Sequence, residues 1–418
     1  MTLGVNEKDR QIYMKGLSMK VLNIGTSFGG GAGIAMRRIS EAQSSIGLQV
    51  QTWALNAPKN CNLRDNEKII NRNISKKVHS STITKLQSKF VQKSDLLVTS
   101  IGIDLLNNQD FYNSIKQFDI VNFHSIYNLT SLTTILEVSR IKPTTITLHD
   151  ERILTGGCHY SFSCRGYLES CGNCPQVRKY FFKLPVRELE KNNEDFYLKL
   201  NLANISFIAP SRWLADKART KIANHEIVFE VIPNPIPKST IRSVSSGVQG
   251  STEIKIGFIS ENLYNPYKGL ALLVEALNAL AGDFAIQLTL VGRGKLPDFD
   301  PRIKIIRKYV KNDQERVALY EELDFIVAPS TQDNLPSVIS ESLMVGTPVI
   351  GSDAGGIPEM LLGFDMPIVR AGSVEALIFA IKEMKKDYDK KAIREKAQSI
   401  FSYEVVGKKY FSLFKSLI

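Results

Sequence analysis

Two successive runs of short apolar segments alternating with helix-length segments, separated by a proline-rich break, constrain this chain most. In the first run, strand-like stretches fall at Lys20–Gly25, Gln49–Ala54, Ile120–Phe123, Thr144–Leu148 and Ile205–Ala209. Between them, Gly33 to Ile46 predicts a helix opening in a glycine loop, and Leu129 to Arg140 predicts another. Trp213 to Ala223 predicts a further helix, with Ser211 as its N-cap. Such alternation predicts a parallel, doubly wound α/β sheet. Val231-Ile-Pro-Asn-Pro-Ile-Pro237 then interrupts regular structure three times, and Lys238 to Thr252 is rich in serine and glycine. A linker is expected over 233–252. The second run has strand candidates at Ile254–Ile259, Ala285–Val291, Ile303–Ile306, Phe325–Ala328, Pro348–Ser352 and Pro367–Val369.

A chain of 418 residues exceeds what one core normally supports. Two domains are expected, over 19–232 and 253–401. A polar extension at 1–18 precedes them. A terminal helix, Tyr403 to Leu417 within 402–418, carries Val405, Val406, Tyr410, Leu413 and Phe414 on one side. No apolar run reaches the roughly 18 residues that span a bilayer. The first 18 residues are charged throughout and lack the apolar core of an export signal, which predicts a cytoplasmic protein.

The net charge of +11 suits acidic partners. From Lys68 to Lys93 there are seven basic residues and no acidic one, with Val78, Ile83, Leu86 and Phe90 near helical spacing. The stretch reads as a basic amphipathic helix for an anionic membrane surface, or as a solvated helix packed on a sheet. No aromatic-basic RNA motif appears, so nucleic acid is not an expected partner.

Several segments carry side chains suited to chemistry. Phe325–Ala328 runs into a polar loop with Asp333 and Asn334, then a helix with Glu341. Both acids then lie near the C-terminal edge of a parallel sheet, where open α/β folds bind ligands. Carboxylates there accept hydrogen bonds from sugar hydroxyls; an acidic helix start is the plainer reading. Gly29-Gly-Gly-Ala-Gly33 follows the first strand and opens a helix, which favours anions. It misses G-x-G-x-x-G, because the sixth position from Gly31 is Met36. Lys268 precedes Gly269 near the start of the second run, and Arg293 lies in Val291-Gly-Arg-Gly294. His124 and His149 each end a strand, and histidine exchanges protons near neutral pH; capping of backbone by both rings is the alternative. Cys158, Cys164, Cys171 and Cys174 are spaced C-x5-C-x6-C-x2-C. Four thiolates suit a structural Zn²⁺, with free thiols as the other outcome. Asp298-Phe-Asp300, between two prolines, reads as structural.

Pro329–Ile350 resembles the acid-x7-acid signature of retaining nucleotide-sugar glycosyltransferases of the GT-B fold, of the family-four type found in bacterial polysaccharide biosynthesis. The first acid is usually Glu there and is Asp333 here, one methylene shorter. The loop from Thr155 to Pro175 is also similar to one found in such enzymes. The resemblance implies two facing doubly wound, Rossmann-like domains, with the terminal helix crossing back to the first. It implies transfer of a hexose from a nucleotide-diphosphate sugar to a saccharide or lipid-linked saccharide, without a catalytic metal, at the inner face of the plasma membrane. His124, Lys268 and Asp333 then take catalytic roles. Gly30, Gly31, Lys268, Arg293, Asp333, Asn334, Leu335 and Glu341 take the donor, with Arg293 replacing a phosphate cation missing at Ser260-Glu261. His149 and Asp150 take the acceptor. A sugar-nucleotide epimerase on the same fold, and a basic polyanion- or membrane-binding protein, are the competing readings.

Overall fold

A computed structural model describes residues 19–59, 61–70, 104–175, 183–222, 227–238, 253–310, 312–384 and 388–418. The polar extension 1–18, the basic stretch beyond residue 70 and the linker residues 239–252 lie outside the described residues. The chain divides into two compact units, Met1–Pro235 with Tyr403–Ile418, and Ile236–Ser402. No helix among the described residues is long and apolar enough to cross a membrane.

The first unit contains β1 (Lys20–Ser27), α1 (Gly30–Ser45), β2 (Gln49–Asn56), β3 (Glu67–Ile69), α2 (Gln109–Ile115), β4 (Ile120–Phe123) and α3 (Leu132–Ser139). It continues with β5 (Thr144–Thr147), α4 (Gly166–Glu169), α5 (Lys183–Lys199), β6 (Ile205–Ala209), α6 (Arg212–Lys221) and β7 (Phe229–Val231). The strands are all parallel, in the order β3-β2-β1-β4-β5-β6-β7. The order reverses between β1 and β4, which makes their C-terminal ends the topological switch point. Ser211 caps α6 through the Leu214 N–H, as its position before the helix predicts. Strands β3 and β7 are three-residue edges with a charged centre, Glu67-Lys-Ile69 and Phe229-Glu-Val231, too short for a periodic signal.

Parallel strands covered on both faces are normally apolar throughout. This sheet departs from that rule along one line. Asn23, Thr52, Asn122, Thr145 and Thr147 are all buried. They bond to one another: Asn23 Nδ2 donates to Ser40 Oγ (2.9 Å) and Gln43 Oε1 (2.7 Å), and Asn122 Nδ2 donates to Asn23 Oδ1 (3.0 Å). The Thr145 and Thr147 hydroxyls donate to Asn122 Oδ1 at 2.9 and 3.0 Å. Such a network is tolerable in a core because most of its polar atoms find partners, the buried Gln43 Nε2 being an exception.

The second unit contains β8 (Glu253–Asn262), α7 (Leu270–Leu280), β9 (Ala285–Arg293), β10 (Lys304–Lys308), α8 (Asp313–Glu321), β11 (Phe325–Ala328) and α9 (Ser337–Val345). β12 (Val349–Ser352), α10 (Ile357–Leu361), β13 (Ile368–Val369), α11 (Val374–Lys382) and α12 (Lys390–Phe401) complete it. Its parallel order, β10-β9-β8-β11-β12-β13, repeats the first unit's plan and puts a second switch point between β8 and β11.

Helix α13 (Tyr403–Leu417) belongs to the first unit and lies along α1. It buries Val406, Tyr410, Leu413 and Phe414 with Val21, Ile39, Val50 and Ile120. At the crossing, a Cβ on Gly407 would stand 2.4 Å from the Ala42 carbonyl oxygen, so the two backbones touch there. Gly407→Val should lower stability by about 1–3 kcal/mol through overpacking. Its urea midpoint, read against the parent chain, checks this; an unchanged midpoint would mean the helices do not meet there.

Candidate functional site

At the second switch point, two loops are forced together. Gly269 ends the turn after β8 with φ +80°, a conformation glycine adopts without strain. A Cβ there would stand 2.2 Å from the Pro329 carbonyl oxygen in the loop after β11. Thr331 N–H donates to the Tyr267 carbonyl (2.8 Å), which fixes the approach. The result brings Lys268 Nζ to 2.5 Å from Asp333 Oδ2. Burial opposes the lysine charge, but the Asp333 carboxylate outweighs it, and the lysine pKa lies above its usual value.

Asp333 is held from behind. Its backbone carbonyl accepts the Gly356 N–H (3.1 Å), and Gly355, at φ +60°, passes so close that a Cβ would overlap that carbonyl. Its Oδ1 accepts the Asn334 N–H at 3.0 Å. That donor, expected to point at a ligand, therefore has a partner within the loop, and the Leu335 side chain joins the core around Ile339 and Leu343. Glu341, on α9, accepts from Arg316 Nη1 (3.3 Å) and Tyr320 Oη (3.1 Å) of α8. Sequence reasoning passed over Arg316 and Tyr320; their i, i+4 spacing is the signal that could have paired them on one helix face. Arg293 ends β9 and pairs with Glu261 at 3.1 Å, both side chains largely exposed.

At the first switch point, Gly30 takes φ +70°, and open space surrounds the positions where Gly30 and Gly31 would carry a Cβ. α1 starts there without a side-chain cap. His124, just past β4, is buried and has both ring nitrogens engaged. Nε2 lies 3.1 Å from both Asn122 Nδ2 and Asn23 Oδ1, and Nδ1 lies 3.0 Å from His149 Nε2. The buried amides of β1 and β4 thus close over a ring that the sequence places facing outward. A neutral His124 carries one proton, on Nε2 toward the Asn23 Oδ1 acceptor or on Nδ1 toward His149, and its other ring nitrogen accepts. His149 is half-buried beside Asp150, whose carboxylate accepts the Arg152 N–H (2.9 Å). Burial and the neighbouring His149 push the His124 pKa well below normal. Burial lowers His149 to about 4 against the pull of Asp150. Both rings are therefore neutral near pH 7.

Cys158, Cys164, Cys171 and Cys174 line one small pocket of about 30 Å³ in the loop after β5. None is in a disulfide. Burial, foremost, raises the Cys171 thiol to about 11, so it carries its proton near neutral pH. Among the described residues, no three His, Cys, Asp or Glu side chains already stand as a cage for a metal ion. The loop is tied to the neighbouring site through Glu151, a buried carboxylate that accepts the Ser161 N–H (3.0 Å) and pairs with Lys217 (2.9 Å).

The lowered histidine pKa sets a pH dependence. Between about pH 4 and the ordinary histidine value near 6.5, the unfolded chain binds a proton that folded His149 refuses. Unfolding free energy therefore rises with pH across that window, and stability falls as pH drops through it. Denaturant unfolding at pH 7, 6, 5 and 4 should show this loss, with a shallower slope in His149→Gln.

Residues 253–387 match the profile of the family described as glycosyl transferases group 1. Over 264 residues the chain is 26% identical to the putative colanic acid biosynthesis glycosyl transferase WcaC of Escherichia coli (strain K12). That alignment covers 58% of this chain and spans 62% of the relative. Sucrose-phosphate synthase from Thermosynechococcus elongatus superposes with a TM-score of 0.63 at 16% identity, over 96% of this chain and 99% of that one. Anabaena HepE, solved in complex with UDP, gives a TM-score of 0.61 at 15% identity, over 95% of this chain and 100% of that one. The fold is that of the GT-B glycosyltransferases, and over residues 253–387 the chain carries a glycosyl transferases group 1 domain.

Proposed function

We propose that this protein is a retaining glycosyltransferase that moves a hexose from a nucleotide-diphosphate sugar to a saccharide or lipid-linked saccharide in cell-surface polysaccharide synthesis. The observation that carries the reading is the Lys268–Asp333 pair at the switch point of the group 1 domain, with Glu341 on the helix behind it. HepE binds UDP, which supports a nucleotide donor, and WcaC is named for colanic acid biosynthesis, which supports a polysaccharide product.

In this reading Glu341 takes the nucleotide ribose, oriented by Arg316 and Tyr320, and Asp333 takes donor-sugar hydroxyls. Lys268 balances the charge that grows on the β-phosphate as the anomeric carbon–oxygen bond breaks, a term realised most fully in the transition state. The bonding electrons leave with the diphosphate. The acceptor oxygen bonds the anomeric carbon on the same face, and its proton passes to the departing phosphate oxygen. No strong protein base is needed, which suits histidines that are poor bases. His149 and Asp150 would meet the acceptor, with His124 acting through His149. A lipid-linked acceptor would bring the enzyme to the inner face of the plasma membrane, where Lys68–Lys93 supplies basic charge.

Nucleoside diphosphates and their sugars, screened as UDP, GDP and ADP series, should raise the melting temperature with one base only. A ligand at 100 times its dissociation constant adds about 2.7 kcal/mol. Glu341→Ala should abolish the shift. Lys268→Ala should cut turnover by about 10²–10³-fold, the scale of losing one preorganised charge contact. No shift with any nucleotide would sink the reading, and product formed without acceptor would replace it with epimerisation.

A further inference from the structure

We propose that Cys158, Cys164, Cys171 and Cys174 bind one Zn²⁺ ion that clasps the loop following β5. The inference stands apart from the glycosyltransferase reading and needs no donor or acceptor. Its basis is the content of one pocket. Four thiols, drawn from a stretch of 17 residues, share a space of about 30 Å³, and no carboxylate, imidazole or cation lines it. Four thiols around one small pocket, among neutral hydroxyl and amide groups, are the donor chemistry of structural zinc rather than of a hard oxygen-loving cation.

The surroundings suit a charged metal–thiolate group. The Gly156 N–H already donates to Cys171 Sγ at 3.3 Å, the kind of outer contact that orients a ligand sulfur. The Arg187 side chain lies against Gly172, between Cys171 and Cys174, close enough that a Cβ there would stand 2.9 Å from its Nε. It brings positive charge beside two of the four ligands, where the Glu190 carboxylate, which accepts the Cys171 N–H at 2.6 Å, brings negative charge. Side-chain contacts such as Asn193 Nδ2 donating to the Thr155 carbonyl (2.8 Å) hold the loop where regular structure is sparse. From Thr155 to Pro175 it holds only α4 and single turns, while its start carries the Glu151–Lys217 tie next to His149 and Asp150. Long segments with so little secondary structure usually rely on some other constraint.

The four sulfurs share the pocket without standing as a cage. Each sulfur moves between staggered wells about a single side-chain bond, and binding would draw the four together by such rotations and by movement of the loop. On binding, four S–H groups release four protons and four Zn–S bonds form. The tetrathiolate carries a net charge of −2, and no electrons are transferred. Metal capture of this kind couples ligand deprotonation to folding of the loop.

The full chain, purified anaerobically without chelator, should contain one zinc per chain by elemental analysis. A Cys171→Ser/Cys174→Ser double variant should contain none. Because that variant could unfold, Co²⁺ added to the metal-free parent chain provides an independent reading. Tetrahedral cobalt with four thiolates gives intense sulfur-to-metal charge-transfer bands at one equivalent. Absence of zinc from the purified chain together with absence of those bands would overturn the proposal. So would zinc retained by the double variant, or a disulfide between any two of the four cysteines in the freshly purified chain.

Discussion

Everything placed at the second unit's switch point depends on how closely the turn after β8 meets the loop after β11. A side chain larger than hydrogen at Gly269 would collide with the Pro329 carbonyl, so the contact exists only because that position is glycine. The approach sets a lysine ammonium on a buried carboxylate. Burial opposes the lysine charge, and the carboxylate beside it more than offsets that cost. Together they hold an electropositive group at the end of a parallel sheet, where Gly355 and Gly356 brace the Asp333 backbone from the far side. Charge is thereby stored in a rigid place before any ligand arrives, the condition under which it is worth most to a reaction that expels an anion.

The first unit solves a different problem with the same topology. Its switch point carries neutral groups, two amides and two imidazoles, joined through the sheet interior to Thr145 and Thr147. Such a chain of hydrogen bonds fixes ring orientation without adding charge. The two units thus differ in kind: one holds a lysine against a carboxylate, the other two neutral imidazoles beside the Asp150–Arg152 pair.

Much of this was legible in the sequence. Ile120–Phe123, Ile205–Ala209 and Phe325–Ala328 have the predicted bounds, because a buried parallel strand is a short apolar run with sharp polar ends. The predicted start of α1 at Gly33 fell three residues late, since Gly30 to Ala32 look like loop but are already helical. Lys268 and Asp333 were singled out separately; their contact was not visible, because it spans 65 residues and is made by backbone approach. Arg316 and Tyr320 were missed because their i, i+4 spacing puts them on one face of α8 but gains meaning only when Glu341 is set opposite. The enclosure of His124 was hidden for a similar reason: Asn23 and Asn122 sit in strands where a sequence reader expects apolar side chains.

The chain passes out of the first unit at Pro235 and re-enters it at Tyr403, so the second unit is an insertion within the first. The two passages lie side by side, with the Ile236 N–H bonded to the Phe401 carbonyl at 2.8 Å. On a ribosome, where chains emerge N-terminus first, the first unit begins to form early yet cannot finish. The apolar face of α1 and the β1 edge of its core stay uncovered until Tyr403–Leu417 emerges. The inserted unit has by then been synthesised whole. Completion of the first unit therefore reports that the inserted unit has been made, and a chain cut short before Tyr403 leaves its oldest hydrophobic surface exposed.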